Sequence, residues 1–226
     1  MLPDVFSPAI LDQLVQAIWQ TLYMVAVSGV AGTLIGLPLG VFLATSRAGE
    51  ILAAPAANRV IGAVVNATRS TPFIILVVAI IPFTRLVAGT SIGTSAAIVP
   101  LTVAAAPFIA RIVESAIREV DPGLIEAARA MGATPLQIVH KVLIPEARPS
   151  IVLGLTLSAV SLISYSAMVG AVGGGGLGDL GIRYGYQRFM PDVMAAVVIL
   201  LIVLVQSVQS AGDAIARRLD RRARRG

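Results

Sequence analysis

The sequence predicts an all-α polytopic membrane protein of five transmembrane helices in one domain, and three observations lead there. Apolar residues make up 57% of the 226 positions and charged residues only 13%, with a mean hydropathy of +0.89. A soluble domain of this size has no core large enough to hide so much apolar surface. Charged residues are also absent from four long intervals: Asp12 to Arg47, Arg85 to Arg111, Arg148 to Asp179 and Asp192 to Asp213. Each holds the ~20 apolar residues that a membrane helix needs. Finally, one polar insert, 121–145, stands out between the third and fourth of the five expected spans.

The spans are expected near 17–44, 60–83, 93–112, 151–169 and 193–211. On the first, Gly32, Gly36 and Gly40 recur every four residues, a spacing that lets helix backbones approach closely. This stripe predicts packing of the first helix around its own subunit. The second span carries Arg69, followed by Ser70, Thr71, Pro72 and Phe73. A membrane arginine either faces a cavity or partner, or snorkels to a nearby interface, and the sequence leaves both readings open. Pro72 frees backbone carbonyls that a cavity could use. The fourth span sets Ser158, Ser161, Tyr165 and Met168 at i, i+3, i+7 and i+10, on one helical face. The stripe reads as the lining of a passage, with helix packing as the alternative. Tyr165 and Met168 then lie near its outer end, where a flexible Met suits a gate. The run Gly173 to Gly176 and the polar residues after it read as an external loop, too flexible to span.

The insert reads as helix, glycine, helix. Asp121 is a good N-cap and Pro122 suits the first helical position. Gly132 stands where a helix end favours positive φ. Thr134, Pro135 and Gln137 restart the helix with a capping box, and Pro145 is expected to halt it. Leu136, Val139 and Leu143 are spaced for one face, with His140 and Lys141 elsewhere. A DNA-reading helix-turn-helix would need several base-reaching polar side chains, whereas this limb offers only Gln137, His140 and Lys141.

Orientation follows from the basic residues near the span ends. One side holds thirteen: Arg47, Arg59, Arg111, Arg118, Arg129, Lys141, Arg148 and six arginines from Arg217 to Arg225. The other holds Arg85, Arg183 and Arg188. The N-terminus is therefore expected outside, and the insert and the basic tail over 216–226 inside. The pI near 10.4 reflects this topology, so no nucleic-acid partner is inferred. Anionic lipid headgroups suit the arginine tail. The start Met1-Leu2-Pro3-Asp4 lacks the basic region of a signal peptide, so the first span is expected to be retained.

With these residues in view, the insert resembles a known family. Glu126-Ala127-Ala128, then Gly132, then Val142-Leu143-Ile144-Pro145 is similar to the cytoplasmic signature of ABC-importer permeases. That family more often has Ile and Leu where this chain has Val142 and Ile144. Further stretches, Ser70 to Ile75, Ile81 to Arg85, Ala106 to Arg111 and Tyr165 to Gly170 with the glycines after it, resemble the permeases of bacterial methionine importers. The resemblance implies a type I ABC importer permease fold in the bacterial inner membrane, with the insert as the cytoplasmic coupling helix. It implies a homodimer bound to two copies of an ABC ATPase, which would carry the ATP and Mg. It further implies a periplasmic or lipid-anchored binding protein that delivers L-methionine, with D-methionine or derivatives as further substrates. In this reading Glu126, Ala127, Ala128, Gly132, Thr134, Pro135 and Pro145 form the ATPase-coupling surface, while Arg69, Thr71, Ser158, Ser161, Tyr165 and Met168 belong to the path or its gate.

The sequence argues independently that ATP must act through another chain. Its one lysine, Lys141, follows His140, so no glycine-rich loop ends in Gly-Lys-Ser/Thr to hold phosphates. No residue is assigned a catalytic role. An intramembrane enzyme needs a nucleophile with a base, or metal ligands, yet the chain has no cysteine and its one histidine lies in the insert. No cofactor or metal of its own is expected. A self-contained secondary transporter or channel is the alternative, but ion coupling usually leaves acids deep in the membrane, and here Glu114 and Glu119 sit at or beyond a span end.

Overall fold

A computed structural model describes residues 7–219. Most of the predicted basic tail, from position 220 on, lies outside the described residues. Helix α1 (Pro8–Thr45) has 38 residues, ~57 Å at 1.5 Å per residue, longer than the ~30 Å apolar layer. It starts well before position 17, because Asp12 limits the apolar stretch without limiting the helix. The second expected span, 60–83, is broken. Its pieces are α2 (Pro55–Ser70), α3 (Phe73–Ala79) and α4 (Ile81–Ala88), with α2 and α3 meeting at 105°. Pro72 is the cause: a proline pushes the preceding residue out of the helical region, and Thr71 is extended at φ −81°, ψ 125°.

Helix α5 (Thr94–Arg118) follows, then α6 (Pro122–Ala130) and α7 (Pro135–Ile138) from the insert, then α8 (Ile144–Gly170). The expected stop at Pro145 does not occur. A π-helical turn over Val139–Leu143 joins α7 to α8, giving one helix from Pro135 to Gly170. Proline in a regular helix clashes with the carbonyl four residues back. The wider π turn, an extra residue inserted in the helix, immediately precedes Pro145 and gives its ring room. Glycines 173–175 make a turn, but the polar residues beyond it are no loose loop. They fold as α9 (Gly176–Leu180) and a second π turn (Gly181–Tyr186), then lead to α10 (Pro191–Leu219).

Four of these helices are long and apolar enough to cross a membrane alone, and the bent α2–α3 pair is a fifth by the same measure. Helix α5 is the hub: Leu101, Ala105, Ile109, Val113 and Ile117 are buried along it. Lipid tails give helices no hydrophobic reason to associate, so close van der Waals contact must do it. The α1 glycine stripe supplies that contact, as expected. A Cβ on Gly36 would stand 2.5 Å from the carbonyl oxygen of Ala106 and 2.8 Å from Cβ of Ile109, and one on Gly40 2.5 Å from the oxygen of Ala110. Opposite faces of α1 and α10 stay bare, with Leu34 and Ile199 exposed, as lipid contact requires.

The two ends of the bundle are locked differently. At the end bearing the insert, Glu114 is 4% exposed and pairs with Arg111 at 2.5 Å, Arg47 at 2.8 Å and Arg118 at 3.9 Å. Arg111 also donates to the Gly62 carbonyl and to Oδ1 of Asn66, so the cluster ties α1, α2 and α5 together. At the other end the glycine turn seats α9 inside the bundle. The Gly176 N–H donates to Oε1 of Gln20 and the Leu177 N–H to Oγ1 of Thr21, so α1 caps α9. Gly175 and Gly176 have φ near +80°, which glycine adopts at no steric cost. Their role is conformational fit, and the expectation of a flexible external loop is corrected accordingly.

Candidate functional site

The insert forms a short capped elbow whose caps match the sequence pattern. The Asp121 carboxylate accepts from the Gly123 N–H at 2.8 Å. Gly132 takes φ +78°, and its N–H and that of Ala133 bond to the carbonyls of Arg129 and Ala128, satisfying the helix end. The Thr134 N–H donates to Oε1 of Gln137 at 2.9 Å, and the Gln137 N–H to Oγ1 of Thr134 at 3.4 Å, a full capping box. Glu126, Ala127, Thr134 and Pro135 are exposed, Pro145 is half-buried and Ala128 is buried.

The elbow has a buried base and exposed apolar side chains. Ala128, Ile138, Val139 and Leu143 pack into the bundle core. Leu136 was expected to share a face with Val139 and Leu143 but is 62% exposed, because the π turn shifts the register and Ile138 takes the inward position. Met131 is 81% exposed and Leu124 41%. Met131 and Leu136 stand on either side of Gly132 in the chain, and Leu124 lies in the first turn of α6. Large apolar side chains left bare on a polar projection are the kind of surface that protein contacts cover.

A second site lies at the bend between α2 and α3. Arg69, Thr71 and Tyr165, three of the predicted path residues, line one pocket of about 190 Å³ with Thr68, Phe73 and Phe108. Tyr165 stacks on Phe73, with ring centroids 4.4 Å apart and planes 13° apart. Sequence reasoning passed over Phe73, which sits next to the breaking proline and is 8% exposed. Arg69 makes no hydrogen bond or ion pair among the described residues. The predicted α8 stripe is only partly open. Ser158 is buried at 3% exposure, so it does not line an open face of this chain, contrary to expectation. Ser161 is half-buried and donates to the Leu157 carbonyl, and Met168 is 45% exposed. Helical spacing gives the face but not the neighbours that cover one end of it.

The Arg47–Arg111–Glu114–Arg118 cluster was also missed, although the spacing of Arg111, Glu114 and Arg118 at i, i+3 and i+7 was a usable signal. A larger polar basin of about 580 Å³ lies at the glycine-turn end among Gln13, Gln16, Gln20, Asp179 and Arg183. Its signal was the glutamine spacing of three and four on α1. No group of three or more metal-ligating side chains occurs among the described residues.

An elbow with exposed apolar side chains, continuous with a spanning helix, on a bundle with a polar pocket at the α2–α3 bend, defines the membrane subunit of a transporter. The chain belongs to the family described as the binding-protein-dependent transport system inner membrane component, whose model matches residues 32–225. It is therefore a multi-pass inner-membrane protein with the type I importer fold and is a non-enzymatic transport component. It is 58% identical over 211 residues to a probable D-methionine transport system permease protein of Vibrio cholerae, covering 93% of this chain and 94% of that one. It is 59% identical over 157 residues to the D-methionine transport system permease protein of Escherichia coli K12, covering 70% and 72%. Among solved structures, the inward-facing MetNI methionine ABC transporter matches with a TM-score of 0.94 and 55% identity, covering 96% of this chain and 100% of that one. An amino acid ABC transporter matches at a TM-score of 0.78 and 21% identity, a likeness of fold alone.

Proposed function

We propose that this chain is the membrane-spanning permease of an ABC importer for methionine, working as a homodimer with two copies of a separate ATPase and with a binding protein that delivers substrate. The observation that carries this reading is the elbow: a capped projection with Met131 and Leu136 bare beside its Gly132 turn, Leu124 bare on its first limb, and its second limb continuous with α8 over 36 residues. ATP and Mg belong to the ATPase. When the ATPases close, the elbow tips move with them, and the unbroken α7–α8 helix carries that motion to Ser161, Tyr165 and Met168. These three, with Arg69 and Thr71, line or gate the path, while Glu126, Ala127, Ala128, Gly132, Thr134, Pro135 and Pro145 shape the coupling surface.

The N-terminus lies outside and the C-terminus in the cytoplasm, on the strength of thirteen basic residues against three and the rule that the richer side stays in. This puts the elbow where a cytosolic ATPase reaches it. A self-contained secondary transporter fits less well. The most buried acid among the described residues, Glu114, is held by three arginines at the elbow end and is not placed to carry protons across. Gentle purification of the tagged chain from its native membrane tests the reading. An ABC ATPase is expected to copurify and the complex to drive methionine uptake, whereas a chain that purifies alone and fully active contradicts it.

A further inference from the structure

We infer that the pocket at the α2–α3 bend binds the transported amino acid itself, with Arg69 receiving the carboxylate. This inference rests on the import reading above. Arg69 is the arginine that lines this pocket. Arg47, Arg111, Arg118 and Arg183 each face a carboxylate, whereas Arg69 has no such partner among the described residues and no acid lines its pocket. A guanidinium presents a planar fork of donors matched to a carboxylate, so what it lacks is an anion from outside the chain.

Its depth rules out simple escape to the interface. The Gly62 carbonyl on α2 bonds to Arg111 on α5, which fixes the two helices in register. Arg69 is seven residues further along α2, ~10 Å towards the glycine-turn end at 1.5 Å per residue. Arg118 closes α5 ~10 Å on the other side of Arg111, and Thr94 opens it ~25 Å away. Arg69 thus stands roughly 20 Å from the elbow end of α5 and 15 Å from the other. Charged groups at such depth face a cavity and mark substrate paths.

The rest of the pocket fits the other two parts of an apolar amino acid. Thr68 and Thr71 already donate their hydroxyl hydrogens to the carbonyls of Val64 and Ala67. Their oxygens are left with lone pairs, which accept from an ammonium group and not from another anion. Phe73 and Tyr165 form a stacked aromatic wall, with Leu76 and Phe108 beside it. Thioethers make favourable contacts with aromatic rings. A cation, hydroxyl acceptors and an aromatic wall in about 190 Å³ describe a site for one small zwitterion with an apolar tail.

The test is equilibrium binding of radiolabelled L-methionine to the complete permease–ATPase complex in detergent, without binding protein, with methioninamide as the competitor that lacks the carboxylate. The wild type is expected to bind methionine and to prefer it over methioninamide about tenfold or more, the range for losing a hydrogen bond to a charged group. Arg69→Gln should lose affinity by a similar factor and lose the preference, while Arg69→Lys keeps part of both. Equal competition by methioninamide in the wild type overturns the inference without any variant, and so does wild-type affinity in Arg69→Gln. Uptake into proteoliposomes with binding protein present separates the two readings. Wild-type uptake that Arg69→Gln leaves unchanged sinks the carboxylate site alone, and no uptake by the wild type sinks the import reading beneath it.

Discussion

Replacing Glu114 with Gln removes the anion that three arginines share while keeping its shape. The carboxylate is 6% exposed and lies 2.5 Å from Arg111 and 2.8 Å from Arg47. Hydrogen bonds to charged groups contribute about 1.5–3 kcal/mol each. The Arg47 side chain is 43% exposed and that of Arg118 48% exposed and 3.9 Å away, so solvent screens both and little is credited to them. Arg111 is different. Its side chain is 22% exposed, and its Nε has no partner among the described residues, so losing Glu114 leaves a largely covered cation without its anion. The expected cost is about 3 kcal/mol, at the lower end of the range for breaking a buried pair from one side. At roughly 2–4 °C per kcal/mol for a chain of this size, the melting temperature should fall by about 6–12 °C. Thermal unfolding of the detergent-purified protein, followed by circular dichroism, measures this directly. Arg47→Ala should cost far less in the same assay. If Glu114→Gln melts with the wild type, the cluster is ornamental and the account of how α1, α2 and α5 are fastened is wrong.

Gly36→Ile should prevent close packing of α1 on α5, since even a Cβ would stand 2.5 Å from the Ala106 carbonyl oxygen; overpacking of this kind costs ~1–3 kcal/mol or more, and the yield of folded protein in size-exclusion chromatography should drop sharply. A Cβ on Gly132 meets no atom within 4 Å, so the main effect of Gly132→Val is backbone strain at φ +78°, about 1–3 kcal/mol. Methionine uptake should fall about tenfold while ATP hydrolysis persists, and Gly132→Asn should recover much of it; normal uptake in Gly132→Val counts against the elbow's coupling role. Ser161→Arg should abolish uptake with the complex still assembled, and unchanged transport would assign this side of α8 to packing.

Much of this molecule is written in local chemistry. The spans follow from where charges stop, the α1–α5 seam from three glycines four apart, and the elbow caps from Asp121, Gly132, Thr134 and Gln137. What escaped the sequence depends on distant partners or on one element overriding another. Pro145 looked like a stop, but the π turn before it accommodates the ring, and the same turn swaps Ile138 for Leu136 on the inner face. The glycine turn looked loose, yet Gln20 and Thr21, more than 150 positions earlier, hold it. Pro72 was recognised as a breaker of backbone bonds, but nothing local gives a bend of 105° or places Phe73 against Tyr165. Ser158 shares a helical face with Met168, and only the surrounding helices decide that one is covered and the other open.

The most direct measurement puts the purified chain into liposomes with and without its ATPase and follows labelled methionine across the bilayer. The account predicts uptake only when the ATPase, the binding protein and ATP are all present, and none through the chain alone. Steady translocation by the chain alone would contradict it.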